Sequence, residues 1–373
     1  MNMEKKIFIC FLFAALLITA GCRKDDTPAE VKTPVGFRAM SQDVLVKSGD
    51  VPVRKSLYEY GINTFGVWGI SRNDLNVQYL WNQPAANNTV QLVPVTAETV
   101  NGEEIYVPAE DGYWFSNSTH DFLALASAEP GTTNTFGTTG LSVTHTNATT
   151  GAQSDPVMTF TYDMSSQYDA NSYTYDLLGA AARKVVERSI PASQDLIFWH
   201  LFSQINISVK FVDANGNDIT GNGSTLDKVR LTGVNTRGNY TISYGGTDAN
   251  PHALNCNVNT HANPTELTFT SAPTLNILPQ DISGFSLFLD FKMKVGNVET
   301  YMTDFEIDLT PAKKKAEVVL ESGQKTSPYI FNNLYNWIIS ISPKLSVGFT
   351  VTVEKWESTP IKDSNNNDEF EII

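Results

Sequence analysis

The chain has 373 residues, with 40 Asp and Glu against 26 Lys and Arg, and a formal net charge of −14 at pH 7. A chain of this length can form about two domains with sizeable hydrophobic cores. Its acidic balance excludes nucleic acid as a partner, and it excludes membrane binding through a basic surface, because both targets would repel the chain.

The first residues predict an export signal. Lys5 and Lys6 precede an uninterrupted run of apolar or small residues from position 7 to position 20. The run is too short to span a bilayer stably, so it predicts the apolar region of a secretory signal peptide. No later apolar run approaches the length that a membrane-spanning helix needs.

Cys22 predicts a lipid anchor. Two small residues precede it, and this arrangement resembles the lipobox of bacterial lipoproteins, although Thr19 stands where Leu is commonest. The resemblance implies a lipoprotein signal peptide at residues 1–21, cleavage before Cys22, and acylation of its thiol and new amino group, with palmitate among the chains. Each buried CH₂ contributes about 0.8 kcal/mol, so several chains on one residue would anchor the protein durably. An ordinary signal peptide with a chance cysteine is the alternative.

The rest of the chain is predicted to be all-β. Residues 22–34 are charged and punctuated by proline, which is typical of a flexible tether. From position 35 onward, short β-like runs are separated by Gly, Asn, Asp and Pro. The runs that alternate most clearly between apolar and polar residues are 157–162, 205–211, 285–295, 335–341 and 347–353. We therefore expect two tandem β-sandwich domains, at residues 35–190 and 191–373.

One stretch leaves its secondary structure open. Residues 177–186 contain three consecutive alanines, which favour a helix, and the pattern breaks at Pro191. This is the only helix candidate in the sequence.

Several short segments together resemble the fimbrillin family, the lipoprotein-derived pilins and pilus-associated proteins of Gram-negative anaerobes. The segments are Tyr106–Pro108 with Gly112–Trp114, Asp121–Ala124, Asp176–Ala180, Phe198–Ile205, Val229–Val234 with Gly238–Tyr240, Ile277–Gln280 and Val351–Trp356. The resemblance implies two tandem β-sandwiches of transthyretin-like, Greek-key topology, with a strand rather than a helix at Asp176–Leu178. It also implies a surface-exposed lipoprotein of the cell outer membrane or a fimbrium, with other fimbrial subunits, of this or a related kind, as partners.

The resemblance further implies assembly by strand exchange. In polymerising members of the family, a protease removes the first strand, often after an arginine, and a strand from the next subunit takes its place. Such a subunit could form the stalk, the tip or the anchor of a fimbria and support adhesion to a host or bacterial surface ligand.

Three parts of the sequence are candidates for these roles. The removable strand would be residues 35–40, with Val35, Phe37 and Met40 among its apolar members. The cleavage site would be Arg54 in a polar connection, with Arg38 as the second candidate, although Arg54 could equally be a solvated loop charge. The donor strand would lie near the carboxyl end, where Phe370 and Ile372 alternate with glutamates, although this segment could equally be a frayed tail.

The sequence offers no sign of catalysis. It has no G-x-S-x-G elbow, H-E-x-x-H pair or P-loop, and its five histidines are spread thinly. We therefore expect no enzyme activity, catalytic residue, metal or cofactor. His200 is expected to be a packing histidine. Residues 213–218 resemble a calcium loop only faintly, and a hairpin turn between Phe211 and Ile219 is expected instead.

A non-polymerising surface lipoprotein that binds glycans is the alternative function. Six tryptophans and 14 tyrosines could provide flat faces for sugar rings. However, Trp68, Trp114, Trp337 and Trp356 lie in or beside strand patterns, where packing in the core is the default. Trp81 is the tryptophan that these patterns explain least.

Overall fold

The structure is a computed structural model. It describes residues 33–41, 56–73, 76–81, 83–100, 102–127, 138–145, 154–165, 176–188, 191, 193–247, 250–319 and 325–355. Within these ranges the chain is almost entirely β, which confirms the all-β part of the predicted fold. No helix among the described residues is long and apolar enough to cross a membrane.

The strands of the first half are, in chain order, β1 (Phe37–Ser41), β2 (Thr64–Arg72), β3 (Val77–Tyr79), β4 (Val93–Val100), β5 (Glu103–Pro108), β6 (Ser118–Ser127), β7 (Thr138–Thr144), β8 (Val157–Asp163), β9 (Leu177–Val186) and β10 (Gln194–His200). The strands that follow are β11 (Ser203–Phe211), β12 (Thr225–Asn235), β13 (Arg237–Tyr244), β14 (Leu254–Thr260), β15 (Pro264–Phe269), β16 (Thr274–Ile277), β17 (Gln280–Asp281), β18 (Ser286–Val295), β19 (Val298–Ile307), β20 (Val318–Val319), β21 (Lys325–Thr326), β22 (Pro328–Tyr329), β23 (Asn333–Ile341) and β24 (Val347–Lys355). One α-helix, α1 (Thr310–Lys315), and 3₁₀ turns at Leu57–Tyr60 and Thr220–Asn222 complete the described elements.

The largest sheet closes on itself. Its strand order is β3-β2-β4-β5-β1-β10-β9-β6, and β6 also pairs with β2. Seven strands therefore form a ring, here called the ring: β2, β4, β5, β1, β10, β9 and β6. An open sandwich of two facing sheets was expected in this part of the chain. The ring can close because its interior combines large aromatic side chains, such as Phe65 and Phe122, with small side chains, such as Ala124, Ala180 and Ala182.

The alanine-rich stretch is strand β9, so the helix alternative was wrong and the strand that the resemblance implied is confirmed. Leu178, Ala180 and Ala182 face the interior of the ring. Leu177 and Ala181 face a second core on the opposite side of the sheet. A strand that is buried on both faces shows no apolar–polar alternation, and for this reason periodicity could not identify it.

A four-stranded sheet in the order β14-β13-β8-β7 covers the outer face of β2, β6 and β9. Met158, Phe160 and Tyr162 of β8 are buried in this second core, as their alternation predicted. Beyond it, two further four-stranded sheets, β16-β11-β23-β24 and β15-β12-β18-β19, share a third core around Trp337 and Phe291. This pair of sheets accounts for the strong alternation of the later runs.

Strands from both sides of position 190 share sheets. β10 belongs to the ring, and β13 pairs with β8 along seven positions from Arg237↔Asp163 to Ser243↔Val157. The division into domains at residues 35–190 and 191–373 stays a prediction.

Candidate functional site

Strand β1 closes the ring between β10 and β5. It runs parallel to β10 over five positions, from Phe37↔Gln194 to Ser41↔Phe198. It meets β5 in antiparallel pairing at one position, Phe37↔Tyr106. Without β1, the facing backbone edges of β10 and β5 would lose these partners.

The inner face of the β1 segment is part of the hydrophobic core. Val35, Phe37 and Ala39 are buried inside the ring, while Met40 on the other face is half-buried. The ring centroid of Phe37 lies 5.2 Å from that of Phe122 and 6.2 Å from that of Phe65, both in edge-to-face geometry. Complete burial of a phenylalanine contributes about 1.5–3 kcal/mol, so this side chain is a main attachment of the segment to the ring.

The outer face of β1 carries Arg38. Its guanidinium pairs with the carboxylate of Asp195 on β10, with 2.7 Å between Nη2 and Oδ1. Both side chains are partly exposed, so the pair contributes at most about 1 kcal/mol. Because Arg38 lies within a paired strand, a protease could reach it only after that strand had left the ring.

Trp81 packs against β1 and is not a free platform. Its indole Nε1 donates a hydrogen bond to the carbonyl oxygen of Glu110 at 3.0 Å. Its ring centroid lies 6.3 Å from that of Phe37. A Cβ atom at Gly112 would lie 2.5 Å from the indole nitrogen, so this position must be glycine for the tryptophan to settle there. The carbonyl of Gly112 in turn accepts the backbone N–H of Val35 at 2.8 Å.

The described residues place three of the remaining tryptophans in cores. Trp68, Trp114 and Trp337 are all buried, as the strand patterns predicted. Trp356 lies outside the described residues.

Four of the predicted site residues lie outside the described residues: Cys22, Arg54, Phe370 and Ile372. Ser41 and Ser56 flank the connection that contains Arg54, and the backbone of Ser56 bridges to Met40 of β1. The two ends of the connection that contains Arg54 therefore lie side by side at the ring.

A network of four charged side chains, which the sequence did not predict, joins the ring to the sheet that covers it. Asp121 of β6 is buried, and its carboxylate oxygens lie 2.6 Å from Nε of Arg72 and 2.6 Å from Nε of Arg183. Asp155, just before β8, pairs with the same two arginines. Burial acts to raise the pKa of Asp155, but hydrogen bonds and charge from the two arginines outweigh it and lower that pKa.

The other polar candidates are structural. His200 is buried and its Nδ1 contacts the carboxylate of Asp176, which agrees with the predicted packing role. The hairpin turn is confirmed by the bond from Ile219 N–H to the Phe211 carbonyl at 2.7 Å. Burial raises the pKa of the Cys256 thiol to about 12, so it is not a thiolate at neutral pH. Among the described residues, no group of three or more His, Cys, Asp or Glu side chains could hold a metal ion.

The fimbrillin-like family matches residues 63–356, which is most of the chain. The chain belongs to the fimbrillin-like family. A role in a fimbria at the cell surface, in association with other fimbrial subunits, follows from this membership, as does a structural rather than catalytic character. The matched range begins after β1 and includes every other strand of the ring.

Solved structures of low sequence identity resemble this fimbrillin-like protein over most of its length. A candidate cell adhesion protein from Bacteroides uniformis is 15% identical, with 87% of this chain and 98% of that chain covered and a TM-score of 0.40. One from Bacteroides ovatus is 13% identical, with 88% and 99% covered and a TM-score of 0.42. A fimbrial assembly protein from Parabacteroides distasonis is 12% identical, with 87% and 99% covered and a TM-score of 0.39. No curated protein matches the chain.

Proposed function

We propose that this fimbrillin-like protein is a structural, anchor, accessory or tip subunit of a surface fimbria, assembled by exchange of strand β1. The observation that carries the proposal is the position of β1, which closes the ring with a fully buried Phe37 and is the first strand among the described residues.

The first step of the proposal is delivery as a lipoprotein. The apolar run at residues 7–20 and Cys22 support a lipid-anchored precursor at the outer membrane, and residues 22–34 would tether the ring to it. This anchor accounts for membrane attachment in a chain whose net charge of −14 would repel anionic lipid.

The second step is release of β1. Cleavage at Arg54 would separate β1 covalently from the rest of the ring, whereas Arg38 lies inside a paired strand. Departure of β1 would leave β10 and β5 with unpaired backbone groups on either side of a groove that contains Phe65 and Phe122. Such edges are templates for an incoming strand.

The third step is entry of a strand from another subunit. Main-chain hydrogen bonds to β10 would provide affinity, and side chains in the positions of Val35 and Phe37 would provide specificity. Residues 369–373 are our candidate for the strand that this chain donates to its neighbour, through Phe370 and Ile372. A head-to-tail contact of this kind does not close, and its repetition produces a filament.

Amino-terminal sequencing of fimbriae sheared from cells tests the processing step. We expect assembled material to begin at Lys55, and Arg54→Gln to remain uncut and outside the fimbria. The matched control is Arg38→Gln, which should be processed normally. Retention of Cys22 on assembled subunits would refute the exchange step and would leave a lipid-anchored surface protein.

A further inference from the structure

The inward positions of the β1 segment differ in size. Val35, Phe37 and Ala39 point into the ring, and Ser41, the next residue on the same face of the strand, is also buried; all four are at most 4% exposed. The first two side chains are bulky and the last two are small. A strand that replaces β1 in the same place must match this order, because a larger side chain at a packed small position forces the core apart.

The outward position next to Phe37 favours a positive charge. Arg38 occupies it and pairs with Asp195 of β10. An acidic residue at this position would face Asp195 as a like charge on the neighbouring strand, which is destabilising. A strand in the place of β1 should therefore have an apolar residue at position 35, an aromatic residue at position 37, a basic residue at position 38 and small residues at positions 39 and 41.

The candidate donor segment of this chain does not match that pattern. It reads Asp368-Glu369-Phe370-Glu371-Ile372. With Phe370 in the position of Phe37, one of the two glutamates faces Asp195 in either strand direction. If the segment runs in the same direction as β1, Ile372 takes the position of Ala39 and is too large for it. If the segment runs in the opposite direction, Asp368 takes the position of Ala39 and is buried without a partner.

Shifting the segment by two residues does not remove the conflict. With Ile372 in the position of Phe37, Phe370 falls in the position of Val35 or in that of Ala39, according to direction. Both positions are buried and both hold smaller side chains. Each placement thus carries either an overfilled position or a buried carboxylate, and both are costly.

We infer that the place of β1 accepts a strand from a different fimbrial subunit, one with a basic residue after its aromatic residue and small residues beyond it. The chain then joins unlike subunits and does not stack on copies of itself. This inference rests on the proposed strand exchange. The net charge of −14 also opposes contacts between copies of this chain.

Peptide exchange into the full chain tests the inference. A specific protease site is placed within residues 46–51 and cut, and labelled peptides then compete with the native β1 segment for the ring. The peptides are residues 33–41, residues 366–373, and the 33–41 peptide with Ala39→Leu, Arg38→Glu or Met40→Leu. Met40→Leu is the control, because it conserves volume at a half-buried outward position.

We expect the 366–373 peptide to bind at least about 100-fold more weakly than the 33–41 peptide. Ala39→Leu should weaken binding about 10-fold or more. Arg38→Glu should weaken it a few-fold, with the difference lost at high salt. The control should bind within about twofold of the parent peptide.

The outcomes separate the inference from the function on which it rests. If the 366–373 peptide binds as tightly as the 33–41 peptide, or if Ala39→Leu changes nothing, the inference is wrong while strand exchange still stands. If the cut chain takes up no peptide, including the 33–41 peptide, strand exchange itself is refuted and the inference falls with it.

Discussion

Acidification should destabilise the fold through one buried histidine. The His120 side chain is fully buried, with its ring centroid 4.9 Å from that of Trp114 and 6.4 Å from that of Phe122. Its Nε2 accepts the backbone N–H of Phe115 at 3.1 Å. Burial lowers the pKa of His120 from 6.5 to about 4, and hydrogen bonds with the backbone oppose this effect only in part.

The sign follows from proton binding in the two states. In the unfolded chain the imidazole of His120 takes up a proton as the pH falls through about 6.5, while in the folded chain it stays neutral until about pH 4. Within this window the unfolded state binds more protons, so the free energy of unfolding decreases as the pH decreases. The loss reaches about 3 kcal/mol at pH 4 and below, because each pKa unit corresponds to about 1.4 kcal/mol.

Urea denaturation at about pH 7 and pH 4.5 measures this loss when the parent chain is compared with His120→Gln. The glutamine keeps an acceptor for the N–H of Phe115 but does not titrate. The comparison also removes the contribution of His145, whose pKa burial lowers as well. We expect the parent chain to lose about 2 kcal/mol more than His120→Gln over this interval. Parallel pH profiles for the two chains would refute the reasoning.

Three further substitutions test the packing around the ring. Asp121→Ala should lower the free energy of unfolding by about 2–3 kcal/mol, because Arg72 and Arg183 lose their buried partner and keep only the half-exposed Asp155. Gly112→Ala should cost about 1–3 kcal/mol and alter tryptophan fluorescence, because the new Cβ would displace the indole of Trp81. Phe37→Ala should cost about 3–5 kcal/mol in urea denaturation and speed hydrogen exchange in β1, since it empties a fully buried site.

Each of these substitutions has a matched control on the surface. Glu266→Ala removes a half-exposed partner of Arg230, Gly348→Ala adds a Cβ no closer than 3.7 Å to a neighbour, and Tyr301→Ala removes a ring that is 66% exposed. All three should change the free energy of unfolding by less than about 1 kcal/mol. If a control costs as much as its buried counterpart, the packing described around the ring is wrong.

The sequence predicted those strands that have one face in a hydrophobic core and the other face outside it. Residues 157–162 and 285–293 alternate because one face of each strand meets a core and the other does not, and periodicity records this difference directly. The same alternation places Phe37, Ala39 and Ser41 on one face of the β1 segment. Small residues such as Ala39 and Ser41 give a weak hydrophobic signal, so the sequence indicated only the larger apolar residues of this strand.

Other features depended on partners that lie far away along the chain. Closure of the ring requires β2 to pair with β6, and no local pattern in Thr64–Arg72 records which strand will lie beside it. The network around Asp121 joins side chains up to 111 residues apart, Arg72 and Arg183, so spacing along the sequence could not reveal it. Trp81 stayed unexplained for the same reason, because its position is set by Glu110 and Gly112.

The unequal flanks of β1 have a consequence for how the strand could leave. Within the described residues, the seam with β10 is five positions long and the seam with β5 is a single position, Phe37↔Tyr106. In the proposed exchange, an incoming strand could therefore begin to pair with the part of β5 that β1 leaves unpaired while β1 is still bound to β10, once the contacts of Val35 with Gly112 and of Met40 with Ser56 have opened. Replacement would then proceed one residue at a time, and each part of the groove between β10 and β5 would be open only until the incoming strand reached it.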